Sequence, residues 1–131
     1  MPRFVILWHE AGPGLARASH FDLLFEEEGD ARAWFVERMI EPGVELSAGE
    51  LPRHRLFYFD YEGPISGNRG AVSRWDSGTY HAVRSGEDFF EVELLGARLM
   101  GSLRLYRDRV VWKLRFVQRD SNHDHQDCSI A

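Results

Sequence analysis

The sequence predicts an all-β protein, a single domain folded as a small antiparallel β-barrel. Apolar and polar residues alternate in most segments, and turn residues recur roughly every ten positions. The 131 residues, 44% of them hydrophobic, are enough for one core and too few for two domains. We expect the barrel to occupy residues 1–120. Residues 121–131 show no apolar periodicity, and we expect a disordered C-terminal tail there.

The first two predicted strands, residues 3–10 (RFVILWHE) and 20–27 (HFDLLFEE), carry polar side chains at unusual places. Because side chains of a strand alternate between faces, His20 and Asp22 share one face of the second strand, and His9 ends the first. Two histidines and a carboxylate joined by a hairpin suit a divalent metal with open coordination positions. The competing interpretation is a surface His–Asp pair, with His9 merely ending a strand.

The middle of the chain is less regular. Residues 31–39 are predicted to be a strand, with a short helix as the alternative, and residues 41–52 a loop. Residues 55–64 (RLFYFDYEGP) are predicted to be a strand that stops at Gly-Pro. Residues 70–83 (GAVSRWDSGTYHAV) are predicted to form a hairpin that turns at residues 76–78.

The last third shows the clearest strand pattern. Residues 89–96 (FFEVELLG), 99–106 (LMGSLRLY) and 110–118 (VVWKLRFVQ) each alternate apolar residues with polar or small ones. The segments between them are short enough for hairpin connections. They therefore predict a three-stranded meander.

Composition narrows the function classes. The net charge of −5 argues against bulk attraction to a nucleic-acid backbone, although basic residues crowd positions 98–119 and one basic face is possible. The single cysteine, Cys128, cannot form an intrachain disulfide, which favours a reducing cytoplasm. The apolar run near the N-terminus is too short for a signal peptide or a membrane span. We therefore expect a cytoplasmic monomer that does not associate with membranes.

His54 and Tyr58 form a second candidate pair. Four residues apart on one predicted strand, they would share a face, and both side chains can donate to a phosphoryl group. The alternative is that both simply pack on the barrel wall.

The order of the segments carries more information than any one of them. They are RFVILWHE, HFDLLFE, AWFVER, HRLFYFDYEGPI, RWDSGTY, FEVELLGARLMGSLRLYR and VWKLRFVQRD. Over about residues 3–120 this order resembles the 3'-phosphoesterase domain of bacterial DNA ligase D and its stand-alone relatives. That family's pattern includes an H-Y-D-F-R-L-E strand, a W-A-V-P strand, an H-P-L-E-Y segment and a W-D-x-G-T turn.

The resemblance implies a β-barrel that holds a metal ion, typically manganese, and trims 3' ends of nucleic acid. Such domains remove a terminal ribonucleoside and then the remaining phosphate, which implies nucleic-acid 3' ends and DNA-repair proteins as partners. The family's metal ligands match His9, His20 and Asp22, and its phosphate-contacting histidine matches His54. Its active-site tyrosine matches Tyr58. A basic residue that follows W-A-V-P in the family falls near Arg38, which would bind phosphate.

Three features depart from the family pattern. Leu24 stands where the family has arginine, and the loop between His9 and His20 is longer by about five residues than the usual pattern. We also expect the N-terminal arm, which supplies further active-site side chains in the ligase-borne version, to be missing.

Three functions remain open from the sequence. The first is a metal-dependent 3'-phosphoesterase in end processing. The second is a catalytically impaired relative that binds nucleic acid or protein through the same barrel. The third is a metal-dependent hydrolase of another phosphoester, which suits the acidic net charge.

Overall fold

A computed structural model describes residues 1–119, and these residues form an all-β fold, as predicted. The predicted tail, residues 121–131, lies outside the described residues. The described chain contains these elements: β1 (Arg3–Glu10), β2 (His20–Glu27), β3 (Asp30–Val36), β4 (Leu46–His54), a 3-10 helix (Leu56–Phe59), β5 (Gly63–Pro64), β6 (Ala71–Ser85), β7 (Phe89–Gly96), β8 (Met100–Asp108) and β9 (Val111–Gln118).

The strands close into an antiparallel barrel. Their order in the sheet is β1-β2-β3-β4-β9-β8-β7-β6, and β6 pairs back with β1, so that eight strands complete the ring. The two-residue β5 adds to the start of β6. The predicted meander is confirmed as β7, β8 and β9. The strand prediction for residues 31–39 is confirmed for residues 31–36, which lie in β3, but not for residues 37–39.

Tight turns explain part of this order. Glu28 and Gly29 both have positive φ, at 45° and 93°, which is the conformation required by a two-residue hairpin between β2 and β3. The hairpin brings the apolar run of β3 beside that of β2, and strand pairing overrides its helical propensity.

Strands β1, β2 and β3 bury both of their faces. Their inward side chains enter the barrel core, which includes Phe4, Ile6, Leu23, Phe25, Trp34 and Phe116. Their outward side chains, with Phe59 of the 3-10 helix and Val72 of β6, form a second apolar cluster, called here the outer cluster: Val5, Leu7, Leu24, Ala31, Ala33, Phe59 and Val72. The outer cluster positions the candidate site, because His20 and Asp22 lie on the same outward face of β2.

The prediction of a loop over residues 41–52 is wrong for its second half. β4 pairs with β3 along most of its length and with β9 over three residues. Its sequence LSAGELPRH lacks a clear alternation and contains Gly49 and Pro52, residues that disfavour strands. A register shift between Ala31 and Ala33 on β3 accommodates Pro52, so that β4 depends on its partners more than on its own residues.

The prediction of a strand over residues 55–64 is also wrong, except for Gly63–Pro64, which form β5. Residues 56–59 form the 3-10 helix, whose Phe59 is 5% exposed and packs into the outer cluster. A strand would alternate the aromatic residues between two faces, whereas the helix lets this segment cover the outer cluster. No helix in residues 1–119 has the length and apolarity needed to cross a membrane.

The predicted hairpin turn at residues 76–78 does not form, because β6 runs through this segment as one long strand. Opposite Ile6 and Leu7 of β1 the register shifts by one residue, which absorbs Trp75 as a β-bulge. The Asp76 carboxylate accepts hydrogen bonds from four backbone N–H groups, those of Ser77, Ala97, Arg98 and Leu99, at 2.8–3.0 Å. Asp76 thus fixes the β7–β8 connection rather than a turn of its own.

Replacing Asp76 with Ala should destabilise the fold by about 2–4 kcal/mol, because several N–H groups around a side chain only 3% exposed would lose their acceptor. Urea unfolding followed by circular dichroism measures this change. The matched control is Asp60→Ala, which removes an exposed carboxylate that lies 3.8 Å from Arg3 and should change the free energy of unfolding by less than about 1 kcal/mol. Equal losses in the two variants would contradict the role assigned to Asp76.

Candidate metal centre

Adjacent strands bring His9, His20 and Asp22 together. In the β1–β2 register His9 lies opposite His20, and Leu7 lies opposite Asp22. One ligand atom from each of the three side chains lies within 4.8 Å of the others. All three are almost inaccessible to solvent, with 9%, 1% and 5% of His9, His20 and Asp22 exposed. The structure therefore assembles the ligand set predicted from strand alternation.

Backbone carbonyls fix both imidazole rings. His9 donates through Nε2 to the carbonyl oxygen of Arg69 at 2.8 Å, and His20 donates through Nδ1 to that of Ala18 at 2.7 Å. In a neutral imidazole the other nitrogen then carries a lone pair. Those nitrogens, His9 Nδ1 and His20 Nε2, lie 3.1 and 2.8 Å from the two carboxylate oxygens of Asp22.

This arrangement favours a positive charge at its centre. Asp22 Oδ1 is buried without a hydrogen-bond partner in the described chain, although His20 Nε2 is 2.8 Å away. The negative carboxylate and the two imidazole lone pairs repel one another. A cation placed among the three side chains would instead accept an electron pair from each of them. Metal-binding histidines commonly donate their other N–H to a backbone carbonyl, as both do here. The donor set therefore fits a divalent metal ion.

The pKa shifts of His9 and Asp22 agree with that view. The hydrogen bond with Asp22 raises the pKa of His9, against the opposing effect of burial. Burial acts to raise the pKa of Asp22, but its bonds with His20 and His9 outweigh burial, and the pKa is lowered. These two directions favour the ionised form of Asp22 and the protonated form of His9, and thus positive charge beside the carboxylate.

Two loops support the site: residues 11–19 between β1 and β2, and residues 66–70 before β6. Gly14, in the loop of residues 11–19, donates to Asn68 in the loop of residues 66–70 at 2.7 Å. A Cβ atom on Gly14 would lie 2.0 Å from the carbonyl oxygen of Gly67, so that only glycine allows this approach. The contact holds the Arg69 carbonyl against His9. The Gly-Pro-Gly sequence was the available signal, but it does not indicate where the loop docks.

Phe35 contacts His20 and also lines a groove. It lies opposite Asp22 in the β2–β3 pairing, and its ring centroid is 5.4 Å from that of His20. A Cβ atom on Gly49 would lie 2.2 Å from the Phe35 ring, so that Gly49 provides the space for it. The groove has a volume of about 460 Å³ and is lined by Phe35, Glu37, Arg38, Glu45, Leu46, Ser47 and Ala48. Arg38 therefore lines the same groove as Phe35, the ring that contacts His20.

His54 and Tyr58 contact each other but lie apart from the metal ligands. Their ring centroids are 5.8 Å apart, and His54 Nδ1 donates to the carbonyl oxygen of Pro52 at 2.8 Å. His54 lies opposite Ala31, at the far end of the outer cluster from Asp22. Within residues 1–119, no hydrogen bond or ring contact joins this pair to His9, His20 or Asp22.

Leu24 is part of the outer cluster and is completely buried. It lies two residues beyond Asp22 on the same face of β2, below the segment that contains Phe59. An arginine here would have no access to solvent unless the covering segment moved. The leucine thus belongs to the packing of this fold.

The family model described as "DNA Ligase D 3'-phosphoesterase domain" matches residues 14–107, which is more than half of the chain. The matched span contains His20, Asp22, Arg38, His54 and Tyr58, and it begins after His9. No curated protein matches the chain.

Replacing Leu24 with Arg should destabilise the fold by about 4 kcal/mol or more, because it buries an unpaired charge among apolar side chains. Leu24→Met, which conserves volume, should cost less than about 1.5 kcal/mol. Thermal and urea unfolding of the two variants measure the difference. A Leu24→Arg protein as stable as wild type would show that the covering segment opens freely.

Proposed function

The chain belongs to the DNA ligase D 3'-phosphoesterase domain family, and from this premise we propose that it is a divalent-metal-dependent phosphoesterase that trims 3' ends of nucleic acid. One observation supports the metal dependence: backbone carbonyls fix both histidine rings so that the other nitrogen of each ring faces one oxygen of the buried Asp22 carboxylate. Manganese is the metal that the family resemblance favours.

In this proposal His9 Nδ1, His20 Nε2 and the Asp22 carboxylate hold the metal. A bound divalent ion supplies Lewis acidity toward a phosphate and lowers the pKa of a coordinated water. The carbonyls of Arg69 and Ala18 keep the two rings in the orientation that presents a lone pair. With only three protein ligands, coordination positions remain for water and for a phosphate oxygen.

The remaining predicted residues would contact the nucleic acid. Arg38 lines the groove beside Phe35 and offers a planar set of N–H donors for phosphate. His54 uses Nδ1 to donate to Pro52, so that its Nε2 can donate to a phosphoryl oxygen only when the ring is protonated. Tyr58 lies against His54 and can donate through its hydroxyl group. DNA-repair proteins in a reducing cytoplasm are the partners consistent with this role.

A second candidate function is a binding module that retains the metal centre without turnover. Two observations favour it. Leu24 contributes packing where the family pattern has arginine, and the outer cluster separates His54 and Tyr58 from the three candidate ligands. Such a protein would bind manganese and 3' ends but release no phosphate.

Replacing His20 with Ala should weaken Mn²⁺ binding at least about 10–100-fold, since changes that only orient a ligand already cost that much. The matched control is His81→Ala, because His81 is an exposed histidine of β6. Isothermal titration of the full chain with Mn²⁺ measures affinity, and the rise of melting temperature with Mn²⁺ gives a second readout. Equal Mn²⁺ affinity in the His20 variant and wild type would exclude this metal centre.

His54→Ala should retain wild-type Mn²⁺ affinity but release phosphate from a 3'-phosphate-terminated primer about 10–100-fold more slowly, because the variant loses a donor to the phosphoryl group. The measurement is manganese-dependent phosphate release by the full chain. If wild type binds Mn²⁺ and releases no phosphate, the binding-module function replaces the enzyme. If His54→Ala is as active as wild type, His54 has no part in the reaction.

A further inference from the structure

Two exposed arginines flank the candidate metal centre. Arg17 is in the loop of residues 11–19, directly before Ala18, whose carbonyl fixes His20. Arg69 is in the loop of residues 66–70, and its own carbonyl fixes His9. Each imidazole ring is therefore held by a backbone group at or next to an exposed arginine.

Phe35 supports the Arg17 side chain. The central guanidinium carbon of Arg17 lies 4.3 Å from the centroid of the Phe35 ring, which in turn lies 5.4 Å from the centroid of His20. A guanidinium stacked on an aromatic face keeps its in-plane N–H donors available. Arg17 thus presents donors beside His20 without forming an ion pair with any carboxylate of residues 1–119.

Arg69 lies on the His9 side. Its guanidinium donates to the carbonyl oxygen and the hydroxyl of Ser66, at 2.7 and 3.2 Å, which shapes the loop and leaves other N–H groups available.

Several other arginines are already committed to carboxylates. Arg53 pairs with Asp30 and Glu27, Arg84 with Glu91, and Arg107 with Asp88. Arg17 and Arg69 instead contact an aromatic ring and a serine, so that their charges are not neutralised by these contacts. A site that combines two such charges with a divalent cation and one carboxylate attracts an anion.

We propose that Arg17, supported by Phe35, and Arg69 on the opposite side form a subsite for the terminal phosphate of a 3'-phosphorylated nucleic-acid strand. The inference rests on the proposed function, since it assigns the substrate group that meets the metal centre. A terminal phosphate carries close to two negative charges at neutral pH, and a guanidinium matches its oxygens with paired donors. The two arginines supply the positive charge that the buried Leu24 does not supply.

The test compares two fluorescent single strands of one sequence, one ending in a 3'-phosphate and the other in a 3'-hydroxyl. Fluorescence anisotropy with the full chain in EDTA measures binding without turnover. Wild type should prefer the phosphorylated strand. Arg17→Ala should weaken binding of that strand about tenfold and leave the hydroxyl strand nearly unchanged, because one charge-assisted contact to the terminal phosphate is lost. Phe35→Ala should weaken the same preference by a smaller factor.

The matched control is Arg84→Ala, which removes another exposed arginine stacked on a phenylalanine, at 4.5 Å from Phe89. It should leave the preference for the 3'-phosphate intact. In the presence of Mn²⁺, Arg17→Ala should raise KM more than it lowers kcat, as expected for a residue that positions substrate. Inorganic phosphate should compete only weakly with the strand.

The outcomes separate this inference from the proposed function. If Arg17→Ala retains the full preference while phosphate release persists, the subsite is wrong and the enzyme stands. If Arg17→Ala abolishes the preference but wild type releases no phosphate, the subsite stands on a binding module. A wild-type chain without any preference, or one that binds inorganic phosphate as tightly as the strand, overturns the subsite.

Discussion

The pairing register of β1 with β2 is the constraint on which the candidate site depends. It places His9 opposite His20 and keeps Asp22 on the same outward face. A slip of one residue would turn every side chain of β2 to the other face, which would put these polar groups into the barrel core and Phe21, Leu23 and Phe25 outside. The apolar residues on the two faces therefore specify the position of the site as well as the fold.

The outer cluster makes this part of the barrel unusual for an antiparallel sheet, in which one face commonly meets solvent. The segment from the 3-10 helix to β5 covers the outer cluster on the outward face of β1–β3. The polar group of His9, His20 and Asp22 lies at the end of these strands. Burial of His20 and Asp22 beside it strengthens their electrostatic interactions, since a low local dielectric favours paired charges and penalises unpaired ones. The same packing lies between the His54–Tyr58 pair and the three candidate ligands.

Loop docking completes the site. The glycine contacts between residues 11–19 and residues 66–70 allow two backbones to approach closely, and this approach supplies a carbonyl to His9 and positions two arginines. The loop between His9 and His20 is the longer one relative to the family pattern. This loop contacts a second loop through Gly14, and its Arg17 adds a positive charge near the candidate metal centre.

The sequence alone determined the features that depend on alternation and on short turns: the barrel class, β1–β3, the C-terminal meander, and the common face of His20 and Asp22. It did not determine β4, whose Gly49 and Pro52 weaken local propensity, nor the 3-10 helix, whose Phe59 is held by tertiary packing. It also mistook Asp76 for a turn residue, because its carboxylate serves a connection about 20 positions later in the chain. Only the tertiary structure decided these points and the positions of Arg17, Phe35 and Arg69. All of them depend on contacts between segments distant in sequence, which local sequence patterns do not show.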